Sequence, residues 1–280
     1  VTDYLFATDL HGQIDRYQKL FEAIENFRPR AVFLGGDLLP HFMVRGDFLG
    51  EVIRPGLQSL RERLTDTYPL IFVIMGNDDP RIKEEVFEGI DDAGLWIYVH
   101  DRRHEFDGWV VYGYAFVPPT PFRNKDWEKY DVSRYVPPGA ISPEEGYRTV
   151  PVDTGDVRYS TIEADLKALT GTVDLSKTVI LFHTPPYETT LDRVATDGMM
   201  IDHVPLDLHV GSIAVRRFIE KRQPLLTLHG HIHESARLMD SWRDRIGSTH
   251  LFGAAHDGPE LCLVRFSMDD PASAERIFMS

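Results

Sequence analysis

Short apolar runs alternate with amphipathic stretches through the first hundred residues, and few folds accept that order. Tyr4-Leu-Phe-Ala, Ala31-Val-Phe-Leu and Leu70-Ile-Phe-Val-Ile-Met read as buried strands. Between the first two, Ile14, Tyr17, Leu20, Phe21 and Ile24 recur at helical spacing, which predicts a helix over Ile14 to Phe27. A second helix is expected around Phe48 to Leu64. Strands separated by helices run parallel, joined by crossovers. After Gly76-Asn77-Asp78, Asp79 is expected to cap another helix with Pro80 in its first position.

The second half is less regular. Trp109 to Val117 reads as strand, but residues 118–158 are rich in Pro, Tyr and charge without a period. A structureless stretch of that length is expected to be a lid or a surface-packed excursion. Ser160-Thr-Ile-Glu163 has capping-box spacing and predicts a short helix. Thr178 to Phe182 is a strand, residues 185–211 a second irregular excursion, Ile213 to Arg222 a helix, and Pro224 to Leu228 a strand. Leu261 to Phe266 adds another strand, and strands without intervening helices suggest antiparallel additions. With no repeat, low-complexity tract or linker, one α/β domain over 1–280 is expected.

Charge and cysteine usage exclude several function classes. A net charge of −14 argues against a long nucleic-acid backbone, which needs a cationic surface to displace counterions. A small phosphorylated substrate stays compatible, because bound metal cations can supply positive charge locally. The lone cysteine, Cys262, rules out an intramolecular disulfide and any cysteine-based zinc cluster, and its apolar neighbours predict a buried strand position. That usage fits a cytoplasmic setting. No basic leader precedes Tyr4, and no apolar run approaches the ~20 residues of a membrane span, so no membrane partner is expected. Oligomeric state leaves no mark in the sequence.

The residues just past each apolar run carry the chemistry. The runs end in Asp9 and His11, in Asp37, in Asn77, in His183, and in His231 and His233. Ligands of open α/β sheets gather beyond the carboxyl ends of the strands, so these side chains can meet despite their separation in the chain. They are too many for one tetrahedral zinc. Two ions are expected, with Asp37, alone on its loop, as the natural bridge. Carboxylate, amide oxygen and imidazole together suit Mn, Fe, Zn, Co or Ni, as divalent or trivalent ions, better than Mg or Ca. Residues two apart in extended backbone project to one side, which suits Asp9-Leu-His11 and His231-Ile-His233. His231 and His233 are expected to serve one ion each, and His229 to lie in the core or behind a ligand.

In this order the motifs Asp9-Leu-His11, Gly36-Asp37, Gly76-Asn77-Asp78-Asp79, His183 and Gly230-His231-Ile-His233 resemble the calcineurin-like metallophosphoesterases. The resemblance implies a sandwich of two mixed β-sheets flanked by helices. It assigns Asp9, His11, Asp37 and His233 to a first metal, and Asp37, Asn77, His183 and His231 to a second. It also implies hydrolysis of a phosphoester by a hydroxide bridging the metals. One departure stands out. The His that follows the metal-binding Asn in the family, and contacts phosphate, is Asp78 here. A carboxylate there repels phosphate unless protonated, so leaving-group protonation falls to another group, with Asp78 itself, His41 and His209 as candidates.

Some family members lacking that His resemble phosphodiesterases, which favours a diester substrate. The alternatives are a phosphomonoesterase or nucleotide pyrophosphatase on the same site, or a non-catalytic scaffold of the same fold. Arg193 is a candidate phosphate contact, in an excursion expected to wall the substrate. The family's turn after the second histidine pair is replaced by Phe252-Gly-Ala-Ala-His-Asp. There His256 could reach the rim, while His250 is expected to be incidental.

Overall fold

The computed structural model describes residues 3–41, 46–201 and 203–280. In it the apolar runs pair into two six-stranded mixed sheets. Numbered along the chain, the strands of the first sheet are β1 (Tyr4–Ala7), β2 (Ala31–Gly35), β3 (Leu70–Ile74) and β4 (Ile97–Tyr98), with β13 (Leu261–Phe266) and β14 (Glu275–Met279) from the tail. Their spatial order is β14-β13-β1-β2-β3-β4. The first four are parallel, and β13 and β14 add antiparallel at one edge. The second sheet holds β5 (Arg103–Phe106), β6 (Trp109–Tyr114), β7 (Thr178–Phe182), β10 (Leu226–His229), β11 (Arg243–Ile246) and β12 (Thr249–Gly253). Its order is β11-β12-β10-β7-β6-β5, parallel in the middle and antiparallel at both edges. A small hairpin, β8 (Met200–Ile201) with β9 (Val204–Pro205), stands apart.

The central strands are buried on both faces, which is why they read as continuous Val, Ile, Leu and Phe instead of alternating. One apolar core runs through both sheets, including Phe6, Phe33, Phe72, Leu181 and Leu228. Phe33 stacks on Phe72 with ring centres 5.3 Å apart. Each such ring removed from water contributes about 1.5–3 kcal/mol. The expected helices form as α1 (Ile14–Phe27), α2 (Arg54–Leu64), α3 (Glu84–Asp92), α5 (Ile162–Thr170) and α6 (Ile213–Arg222). A further helix, α4 (Thr154–Tyr159), lies inside the first excursion, started by the Asp153 side chain accepting from Gly155 N and Asp156 N. A π-helical turn, Leu49–Ile53, leads into α2.

Three expectations are corrected. Asp79 does not cap a helix: its carboxylate turns inward to the buried amides of Leu38 and Leu39, which have the stronger claim on it. Pro80 stays extended, and a 3-10 turn at Arg81–Lys83 precedes α3. The cap of α5 is Thr161, whose Oγ1 accepts from Ala164 N, whereas Ser160 Oγ donates to Asp156 O at the end of α4. Finally, the strand that opens at Trp109 stops at Tyr114 instead of Val117.

Residues 118–158 are packed, not loose. Trp127 is fully buried, and Lys125 Nζ lies 2.6 Å from Glu128 Oε2 with both side chains out of water. Asp131 accepts from Ser212 Oγ, Ile213 N and Ala214 N, capping α6 from across the fold. Cys262 is buried on β13, as its neighbours suggest. No helix among the described residues is long and apolar enough to cross a membrane.

Candidate metal centre

Polar side chains leave the carboxyl ends of β1, β2, β3, β7 and β10 and converge where the two sheets meet. The local backbone is unusual. Asp9, His11, Asp37 and His231 all have positive φ, at 55°, 47°, 50° and 74°. Non-glycine residues rarely adopt that region, and it costs about 1–3 kcal/mol each, so tight turns are being imposed at these four positions. Backbone bonds hold the turns, since Asp9 N donates to Gly36 O and His11 N to Asp37 O. Two glycines let the strand ends touch. A Cβ on Gly76 would lie 2.3 Å from Asp37 Oδ1, and one on Gly230 would lie 2.6 Å from Asp9 Oδ2.

The converging atoms form two groups, Asp9 with His11 and His233, and Asp37 with His183 and His231. In the first, His11 Nε2 and His233 Nε2 face each other at 3.2 Å, and Asp9 Oδ1 lies 3.2 Å from His233 Nε2 and 4.0 Å from His11 Nε2. In the second, His183 Nε2 lies 2.9 Å from Asn77 Oδ1 and 3.3 Å from Asp37 Oδ2. The rings of His183 and His231 are 5.2 Å apart. Donors bound at about 2.0–2.2 Å to one ion stand about 3–4 Å from each other, the spacing found in both groups.

Chemistry supports the same fit. His183 Nδ1 donates to Gly35 O at 2.8 Å, so its Nε2 is the nitrogen left to face two oxygens, Asn77 Oδ1 and Asp37 Oδ2. Nothing in that arrangement is satisfied without positive charge. A histidine whose second nitrogen is tied to a backbone carbonyl is the usual form of a metal ligand. The buried Asp9 and Asp37 carboxylates are held below the usual range, Asp9 the more strongly: burial opposes this, but the surrounding imidazoles outweigh it. They in turn draw protons. Burial lowers His183 and His11, yet Asp37 and Asp9 in one case, and Asp78, Asp37 and Asp9 in the other, lift each to about 9. His231, half-buried beside His183, is pushed down to about 3, by desolvation of its ring and then by that neighbour. The cavity thus gathers cationic charge onto its acids, a place a metal ion would take.

All seven side chains singled out at the strand ends therefore meet, and His231 and His233 fall in different groups. Asp37 stands with His183 and His231, while its other oxygen, Oδ1, accepts from Asp78 N at 2.7 Å. The remaining candidates spread out. Asp78 Oδ2 lies 3.5 Å from His11 Nδ1. His41 is exposed on the loop after β2. His209 Nδ1 donates to the buried Asp192 at 2.7 Å. Arg193 is engaged by Asp197 and by Val194 O. His229 lies in the core, stacked on Phe182, with Nδ1 donating to Thr184 O and Nε2 accepting from Thr227 Oγ1. His256 contacts Glu260, and His250 sits on β12.

Two supports escaped the sequence reading. Asp79 accepts from Leu38 N, Leu39 N and Gly76 N at 2.7–3.1 Å, bolting the loop of Asp37 to the loop of Asn77. Burial and the neighbouring Asp37 raise its carboxyl to about 7 against those donors. Arg16, buried on the first turn of α1, donates to Asp9 O at 2.7 Å and to Gly258 O. The signal for Asp79 was its place directly after Gly76-Asn77-Asp78; nothing local marked Arg16.

Two mixed sheets with carboxylate, amide and imidazole donors at their meeting edge define a metal-dependent phosphoesterase. The chain belongs to the calcineurin-like phosphoesterase family, which matches residues 3–235 and works with a dinuclear divalent metal centre. Among solved structures, one crystal structure aligns with a TM-score of 0.60 at 15% identity, covering 99% of both chains. The TT1561 protein of Thermus thermophilus aligns at 0.57 and 17% identity, again over 99% of each. At such identities the likeness is one of fold. No curated protein matches.

Proposed function

We propose that this phosphoesterase cleaves a phosphodiester, using two metal ions held by the converging donors. Asp9, His11 and His233 would hold the first, and Asn77, His183 and His231 the second, with Asp37 shared between them. The observation that carries this is His183 Nε2, aimed with Asn77 Oδ1 and Asp37 Oδ2 at one point while its Nδ1 is tied to Gly35 O. Such ions, when bound, supply Lewis acidity and a water ionised near neutral pH. The mix of donors suits Mn, Fe, Zn, Co or Ni.

The rim favours a substrate carrying one negative charge. Asp78 puts a carboxylate beside His11, and Arg193 is already committed to Asp197. A phosphomonoester dianion would meet that carboxylate with no guanidinium from Arg193 to offset it. His209 is our choice for protonating the leaving group, ahead of the exposed His41. Buried Asp192 fixes its Nδ1, and its backbone pairs with Arg193, whose own N donates to Ser235 Oγ two residues past His233. The reading also takes residues 1–280 as one domain, supported by the core common to both sheets, and its setting as the cytoplasm, consistent with the single thiol.

A metal-by-substrate screen tests this. With Mn²⁺, Zn²⁺ or Co²⁺, bis(p-nitrophenyl) phosphate should be hydrolysed about tenfold or more faster than p-nitrophenyl phosphate, a barrier difference of about 1.4 kcal/mol. Asp37→Ala serves as the blank. A preference for the monoester overturns the diester assignment, and metal-loaded protein that turns over neither favours a scaffold.

A further inference from the structure

Asp78 stands where the family motif carries a histidine, and the surroundings of its carboxylate give it a different task from contacting phosphate. Its backbone N–H donates to Asp37 Oδ1 at 2.7 Å, which fixes the loop whatever the side chain is. The side chain, 30% exposed, extends from there to His11, with Oδ2 3.5 Å from Nδ1. The opposite nitrogen of the same ring, Nε2, faces His233 Nε2 and Asp9 Oδ1. His11 is thus held on both sides: carboxylate behind, donor group in front.

We propose that Asp78 is a positioning residue for the first metal, acting through His11. By accepting the Nδ1 proton it fixes the tautomer that leaves Nε2 free for an ion, and it makes that nitrogen a stronger donor. A carboxylate behind a ligating imidazole has both effects, and its loss weakens metal binding by about 10–100-fold in comparable sites. The deeper group achieves the same orientation differently, with the carbonyl of Gly35 behind His183. His11 is 23% exposed and His183 fully buried, so the more exposed imidazole has the charged partner.

This inference rests on the two-metal reading above, and its test separates the two. Metal-free full-length protein is titrated with Mn²⁺ by calorimetry, as wild type, Asp78→Asn, His11→Ala and the double variant, with circular dichroism checking the fold of each. Wild type should bind two ions. Asp78→Asn should weaken one of them by about 10–100-fold and leave the other unchanged. In the His11→Ala background the first site keeps Asp9 and His233 and binds more weakly, and there adding Asp78→Asn should change that same site's affinity by less than about twofold, because the carboxylate has lost the ring it acts through. Unaltered binding in Asp78→Asn, or an equal loss with and without His11, overturns the assignment while the two-metal reading stands. Wild-type protein that takes up no ion overturns both.

Discussion

The two donor groups share one chemistry but not one environment. Around Asp37 and His183 the side chains are sealed, at 4% and 0% exposure, and each turn is anchored by backbone or by buried Asp79. Around His11 and His233 the rings are 23% and 34% exposed, and their anchors are side chains: Asp78 behind one, Asp9 beside the other. The deep group is preorganised by the same packing that holds the sheets together. The rim group's turns are held by backbone bonds as well, but its two imidazole rings are steadied by polar contacts that water can reach. An ion in the deep group is therefore expected to be retained, and one at the rim to exchange.

The largest test of that contrast is ligand removal. His183→Ala should lower diester hydrolysis by about 10²–10³-fold and resist rescue by excess metal. His233→Ala should lose less and recover as Mn²⁺ is raised. Equal losses with equal rescue would erase the distinction. Chelation reads the same difference without mutation: mild EDTA treatment followed by elemental analysis should leave close to one ion per chain, and simultaneous release of both would count against a deep and a rim site. Asp79→Ala should cost about 2–4 kcal/mol in urea unfolding, because three buried N–H groups lose their acceptor. Its effect on metal should fall first on the deep ion, whose loops Asp79 joins.

The smallest effect concerns pH and the floor of the deep group. His229 stacks on Phe182, directly before His183, and burial lowers its pKa to about 4 from the ordinary 6.5. Below pH 6.5 the unfolded chain binds a proton there that the folded chain refuses, so stability falls as pH falls towards 4. The slope is about 1.4 kcal/mol per pH unit for one such group. His100, lowered to about 3 by burial and then by nearby Arg81, adds a second increment away from the site. His229→Gln should remove about half of their joint slope between pH 6 and 5, measured by urea titration. Identical slopes in wild type and variant would show that His229 carries a proton in the fold.

Much of this was legible along the chain because burial on both faces writes a parallel strand as an unbroken apolar run. The polar residue ending each run then marks a sheet edge, so Asp9, Asp37, Asn77, His183 and His231 could be selected before any contact was known. Capping was less readable. Ser160 and Thr161 are both good caps in isolation, and only the carbonyl of Asp156, left open as α4 ends at Tyr159, decides that Ser160 faces backwards. The hairpin joining β5 to β6 carries a local signal, Asp107-Gly108 with φ of 50° and 81°, that strand runs alone did not reveal. Arg16 and Asp131 bear no local mark, since their partners lie across the fold.

Local sequence is enough to say which strands are buried, which residues end them and that their donors suit metal. Those are properties of short windows, set by apolar periodicity and side-chain chemistry. How deeply each donor group is set followed only from the packed fold, because that depends on the relative position of two sheets. The fold also turned Asp79 from a helix cap into the bolt between two loops, and set Asp78 against His11. A buried amide or imidazole takes the partner that three-dimensional packing brings nearest, and sequence neighbours have no privileged claim on it.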